Sequence, residues 1–165
     1  MSVKTAFIAE LKNESASTKR MLEKVPLDKK DWKPHDKSMT VGRLATHVAE
    51  IPLWIHRIMS ADEFNFATAT FSPYTASSAA ELLEIFEKNL DIAIAELDKA
   101  GDAEYDKIWT VKAGEKIMAQ LPKKVAIRGW AFSHLIHHRG QLSVFLRLLD
   151  VPIPGMYGPT ADERM

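Results

Sequence analysis

The sequence predicts an all-α fold, a four-helix bundle with a possible small hairpin before the last helix, on three observations. Apolar residues recur at helical spacing in four long stretches with charged residues between them. Capping residues, proline or glycine stand near the ends of those stretches, and no convincing strand runs longer than a few residues. The length of 165 residues is about that of one ordinary domain, so residues 1–165 are expected to fold as a single bundle.

The first helix is expected over about residues 3–24, where Val3, Phe7, Leu11, Thr18, Met21, Leu22 and Val25 follow helical spacing until Pro26 closes the segment. Residues 26–39 hold two prolines and several charges without a period, and read as a loop with Trp32 tucked against the bundle. Thr40 is the N-cap of a second helix carried by Val41, Leu44, Val48, Ile51, Ile55 and Ile58 to about Met59. Pro52 inside it removes one backbone hydrogen bond and bends it. Residues 61–76 read as a mixed connection whose aromatics, Phe64, Phe66, Phe71 and Tyr74, cover a core edge or a partner surface.

Ser78-Ala79-Ala80-Glu81 fits a capping box, in which the hydroxyl and the carboxylate each satisfy an end amide. It opens a third helix with Leu83, Phe86, Leu90, Ala93, Ile94 and Leu97 inside and Gly101 as its stop. Between Tyr105 and Leu121 the period is lost, and 108–111 with 116–118 around Ala113-Gly114 suggest the small hairpin. Pro122 suits the first turn of a fourth and longest helix, whose pattern runs from Val125 to Leu149 without internal proline. The tail, with Pro152, Pro154 and Pro159, is extended or turned.

Apolar residues at 46% and charged residues at 27% are the balance of a globular protein. The 22 Lys plus Arg cancel the 22 Asp plus Glu, so no net field draws the chain to nucleic acid or to an anionic membrane, and neither is expected as a partner. The absence of cysteine excludes disulfides, thiolate ligands and a catalytic thiol of the protein's own. The N-terminus lacks the apolar centre of a signal peptide, and nowhere do about 18 uncharged apolar residues follow one another. A cytoplasmic location is the resulting expectation.

Six histidines occur, at 35, 47, 56, 134, 137 and 138. At about 100° per residue, Ile127, Trp130, Ala131, His138, Gln141, Phe145 and Leu148 fall within about 60° of His134. His134, His138 and Gln141 are thereby placed in the stripe expected to face the core. His137 is about 100° from His138 and sits at the edge. His47 shares its face with Leu44, Ile51, Trp54 and Ile58, whereas His56 lies on the opposite side by about 180° and His35 is in a loop. Imidazoles at i and i+4 can offer two nitrogens to one metal, with His47 as a third ligand. Hydrogen-bonded core histidines are the competing reading, because any buried imidazole needs partners.

The run His134-Leu135-Ile136-His137-His138-Arg139-Gly140-Gln141-Leu142 resembles the H-x-x-x-H-R-G-Q signature of the DinB/YfiT-like family. Trp32-Lys33-Pro34, and Ser38 through to His47, are similar to that family's approach to its first metal histidine, and the tail from Val151 to Asp162 is similar too. The resemblance implies a four-helix bundle, often a homodimer, with one divalent zinc or nickel ion on His47, His134 and His138. It also implies a metal-dependent enzyme acting on a small molecule, by hydrolysis or by thiol-dependent transfer with a low-molecular-weight thiol. The alternative is a non-catalytic metal- or ligand-binding stress-response bundle. Glu50, one turn after His47, and Gln141 are candidates to orient ligands. Arg139 reads as an interhelical salt bridge, and Tyr157 either closes over the site or packs on the surface. No catalytic residue is assigned.

Overall fold

The computed structural model describes residues 2–70 and 73–163. Helix α1 (Val3–Leu22) opens on Ser2, whose hydroxyl accepts from the Thr5 N–H, and it buries Phe7, Leu11, Thr18, Met21 and Leu22. The following loop holds one 3-10 turn (Leu27–Lys29) and is pinned to the next helix: the Val41 N–H donates to Trp32 O at 2.8 Å and the Gly42 N–H to Lys30 O at 3.0 Å. The approach is close enough to require glycine, since a Cβ at 42 would come within 2.7 Å of Lys30 Cβ. Trp32 is half-buried, edge-on to Phe145.

The second expected helix is two helices, α2 (Val41–Glu50) and α3 (Leu53–Met59), interrupted at Pro52 rather than merely bent. Thr40 caps α2 as expected, its Oγ1 accepting from the Arg43 N–H at 3.2 Å. Helix α4 (Ala79–Lys99) starts on Ser78, whose hydroxyl accepts from the Glu81 N–H, while the Glu81 carboxylate accepts from the Ser77 N–H. Its centre of burial is Leu82, Phe86, Asn89, Ala93 and Leu97, with Leu83, Leu90 and Ile94 flanking. Gly101 is not the expected left-handed stop. The helix ends because Ala100 turns extended, and Gly101, with φ −77°, starts a 3-10 turn instead.

The expectation of an all-α protein is corrected by a three-stranded sheet. The hairpin is present and longer than expected, β2 (Ile108–Ala113) against β3 (Lys116–Pro122), turning through Gly114 at φ +62°. A further strand, β1 (Glu63–Asn65), lies in the segment read as a connection and pairs parallel with β2. Phe64 and Phe66 turn inward onto Trp54, and Tyr74 donates to Glu81; Phe71 lies outside the described residues.

The last helical arm runs from Lys123 to Leu148 as α5 (Lys123–Ile127), a π-helical segment (Arg128–Ser133) and α6 (His134–Leu148). It ends in a Schellman closure, the Val151 N–H donating to Leu146 O and the Asp150 N–H to Arg147 O, with Asp150 left-handed at φ +58°. Four helical arms enclose the core: α1 packs on α4 and α6, α4 on α2 and α3, and α2 on α6. The tail folds back on the arms through Arg20 to Gly155 O (2.6 Å) and Arg147 to Asp162. Among the described residues, no helix is long and apolar enough to cross a membrane.

Candidate metal centre

The core stripe of α6 is Leu135, Arg139, Leu142 and Leu146, one position on from the stripe read off the sequence. His134 and His138 are half-buried beside it, Gln141 is exposed and Leu148 is 58% exposed, so the histidines line a seam rather than face the core. The misreading has a physical origin in Arg139, a charged residue 2% exposed in the middle of the apolar row. Its guanidinium donates to Glu14 Oε2 (2.7 Å), Glu14 O, Thr18 Oγ1 and the Tyr157 hydroxyl, which together satisfy a buried charge. On α2 the same division holds: Leu44, Val48 and Ile51 are buried, and Arg43, His47 and Glu50 are half-buried along the facing edge.

Because α2 packs on α6, the three imidazoles meet. One ring nitrogen from each of His47, His134 and His138 lies within 4.8 Å of the others, a group that could hold a metal ion. The His47 and His134 Nε2 atoms are 3.2 Å apart. Two ligand nitrogens on a tetrahedral zinc at about 2.0–2.1 Å would stand about 3.3 Å apart. The outer ring nitrogens are anchored. His134 Nδ1 is 3.2 Å from Trp130 O, and a carbonyl only accepts, so the proton is on Nδ1 and the Nε2 lone pair points to its neighbours. His138 Nδ1 is 2.7 Å from Gln141 Oε1, the same arrangement. Glu50 Oε2 lies 3.8 Å from His47 Nδ1, beyond hydrogen-bond range, and accepts from Arg43 Nη2 at 2.8 Å. Converging ring nitrogens with acceptors behind them are what a ligand set needs from its surroundings.

The electrostatics favour neutral rings at His134 and His138. Burial, with the neighbouring His138 and His47, brings His134 down to about 4, against a small opposing effect of the Trp130 carbonyl. Burial also lowers His138. At Glu50 burial raises the carboxyl, but His47 and Arg43 more than offset it and the group is held ionised.

A cavity of ≈ 440 Å³ opens from His47 and His134, lined by Arg43, Glu50, Ile51, Leu53, Trp54, Arg57, Phe66, Thr70, Pro73 and Trp130. A second groove is lined by Gly129, Trp130, Ser133, His134 and His137. The sequence reading missed Arg43, Trp54, Arg57, Phe66 and Trp130 as site residues. The signals were there for most: Arg43 precedes His47 by one turn, and Trp54 and Trp130 share faces with the histidines.

The remaining histidines lie outside the cluster. His137 is exposed, with its ring 4.8 Å from that of His138. His56 ties α3 to α4, Nδ1 lying 2.8 Å from Glu96 Oε1, and His35 is an exposed loop residue that accepts from the Lys37 N–H. Tyr157 does not close over the site; its hydroxyl meets Glu14 and Arg139 on the other side of α6.

Residues 1–164 match the model of the DinB family. No curated protein matches the chain. Among solved structures, the chain is similar to a DinB-like protein, YjoA, of Bacillus subtilis (18% identity, TM-score 0.69, covering 93% of this chain and 98% of that one). It is also similar to a DinB-like protein of Bacillus cereus (20% identity, TM-score 0.70, covering 92% and 95%). At such identities the likeness is one of fold.

Proposed function

Because this chain belongs to the DinB family, we propose that it is a metal-dependent enzyme acting on a small molecule by thiol-dependent transfer or by hydrolysis, with zinc or nickel on His47, His134 and His138. One observation carries this reading: three imidazoles converge, with acceptors behind two of them, and His47 and His134 of the three line a cavity. Three protein ligands leave a coordination position for a reactant, as catalytic sites do and closed structural sites do not. When bound, the ion supplies Lewis acidity that favours the deprotonated form of a water or a thiol.

The chain's own residues do the rest. Trp130 O and Gln141 hold two rings in the tautomer that presents Nε2. Glu50, kept ionised, is too weak a base to take protons readily; it orients Arg43 and faces His47. Trp54, Phe66 and Trp130 exclude water from one side of the reactant. With no cysteine in the chain, any thiol must arrive as a cosubstrate. The cavity favours an enzyme over a metal store, which has no use for a substrate-sized space beside its ion.

The test is metal analysis of protein purified without a nickel column, followed by assays of low-molecular-weight thiols with electrophiles, and of hydrolysable esters and amides, with and without metal. One zinc or nickel per chain and metal-dependent turnover are expected. Stoichiometric metal without turnover across the panel would favour a binding protein instead. The homodimer expected from the family resemblance stands as part of this proposal; of the aromatic connection, Phe64 and Phe66 pack on Trp54.

A further inference from the structure

We propose that the outward face of the last helical arm, from Val125 to Leu148, is the surface on which a second copy of this chain docks, the two arms crossing antiparallel about a two-fold axis near His137. The inference rests on the homodimer proposed above for there being a second copy, and it names the surface, the register and what assembly does to the metal centre.

The face is not built to meet water alone. At about 100° per residue, Ser133, His137, Gly140, Val144 and Leu148 lie within about 40° of one direction on the helix. That direction is about 170° from the row that α6 buries, Leu135, Arg139, Leu142 and Leu146. A surface helix ordinarily carries its charges there. Here Val125 and Gly129 continue the exposed face towards the start of the arm, and none of these positions is Asp, Glu, Lys or Arg. Val125 is 46% exposed, Val144 56% and Leu148 58%. A helix that is apolar on opposite sides is covered on both.

Charge selects a second copy as the cover. A two-fold contact sets a patch against itself, so any unpaired charge in it meets its own like. The arm carries five Lys and Arg and no Asp or Glu, yet all five are answered within the chain. Lys123 pairs with Glu104, Lys124 with Asp106, Arg128 with Glu10, Arg139 with Glu14 and Arg147 with Asp162. No cation is left to repel its symmetry mate.

Shape sets the register. The C-terminal half of the face stands out at Val144 and Leu148, whereas the N-terminal half is hollow, with a groove of ≈ 450 Å³ lined by Gly129, Trp130, Ser133, His134 and His137. A Cβ built on Gly129 or on Gly140 would meet nothing within 4 Å. A parallel crossing would set Val144 on Val144. The antiparallel one sets Val144 of each copy over Gly129 of the other, Leu148 against Val125 and Gly140 against Ser133, so bumps enter hollows and small residues meet where the arms come closest. His134 lines this groove as well as the cavity walled by Trp54 and Phe66. Docking therefore closes the groove with Val144 of the partner subunit and leaves the cavity open.

The experiment is sedimentation equilibrium of the full chain, with circular dichroism and metal content measured on every sample. The wild type is expected at twice 18.6 kDa at micromolar concentration. Val144→Glu, which puts an unpaired carboxylate into the contact, should raise the dissociation constant about 100-fold or more. Ile117→Glu, at an equally exposed apolar position on β3, should leave it unchanged. Helix content and metal content should hold in both. Because the chain has no cysteine, the double variant Gly129→Cys with Val144→Cys reads the register directly. Oxidation by diamide should give a covalent dimer on a non-reducing gel, since the two positions are about 22 Å apart along one helix and cannot bridge within a chain. Each single variant should run as a monomer there. The cysteine pair carries the test if Val144→Glu does not fold. The proposal is overturned if Val144→Glu keeps the wild-type dimer, if Ile117→Glu breaks the dimer instead, or if the cysteine pair does not cross-link. A wild type that stays monomeric overturns this inference and the homodimer together, whereas a dimer that survives Val144→Glu overturns this inference alone.

Discussion

His134 is the residue on which the site turns, since its ring nitrogens bond to its own arm on one side and meet His47 on the other. In the metal-free protein its imidazole should titrate near 4 rather than 6.5, measurable by following the ring resonances by NMR. The folded pKa lies below the unfolded one, so between pH 6.5 and 4 the unfolded chain binds more protons. This residue's contribution to stability is therefore complete above pH 6.5 and is lost as pH falls to 4. Denaturant unfolding of metal-free protein across that window should show the decline, and His134→Asn should flatten it. Replacing His47, His134 or His138 with Ala should remove the metal, whereas His35→Ala, His56→Ala and His137→Ala should keep it, as metal analysis can score. Gln141→Leu should weaken metal affinity by about 10- to 100-fold, the usual loss when a partner behind a ligand is removed. The i, i+4 spacing made the pairing of His134 with His138 legible in the sequence. Arg57 and Phe66 in the walls of the cavity were not, because nothing in the order of residues says that they line the same space as His134.

Helices whose ends are chemically marked were read well, and the strand that lacked such a mark was not. Ser2, Thr40 and Ser78 each accept from the N–H three residues on, which is what their positions before apolar runs announce. At the other end of α6 the chain closes on Asp150 at φ +58°, a conformation that glycine adopts without the penalty a side chain incurs. Asp150→Gly should stabilise the protein by about 1 kcal/mol, read as a rise in thermal midpoint, and Asp150→Val should do the reverse. Strand β1 has three residues, too few for alternation to register, and it exists only because α3 delivers it beside β2. The π-helical segment has no sequence mark either, yet it lies immediately before His134 and supplies the carbonyl that holds its ring.

Across the whole molecule, Arg139 joins what the arms would otherwise leave separate. Its guanidinium binds the side chain and carbonyl of Glu14 on α1 and the Tyr157 hydroxyl of the tail. Arg139→Met would leave the Glu14 carboxylate buried without its cation, a loss of about 3–5 kcal/mol. Denaturant unfolding should show it, with earlier proteolysis of the tail. Sedimentation should give twice the 18.6 kDa chain mass if the proposed homodimer forms, and the chain mass if it does not.

Periodicity, caps and the spacing of histidines are local properties, and they determined four helical arms, most of their ends, the hairpin and which three histidines were candidate ligands. Contacts between distant segments are not local. Which face of α6 became the core was decided by Glu14, 125 residues away, because a buried arginine is stable only where a carboxylate meets it. Pairing of β1 with β2, the inward turn of Phe64 and Phe66, and the cavity they help to wall were decided in the same way, by what the fold brought alongside.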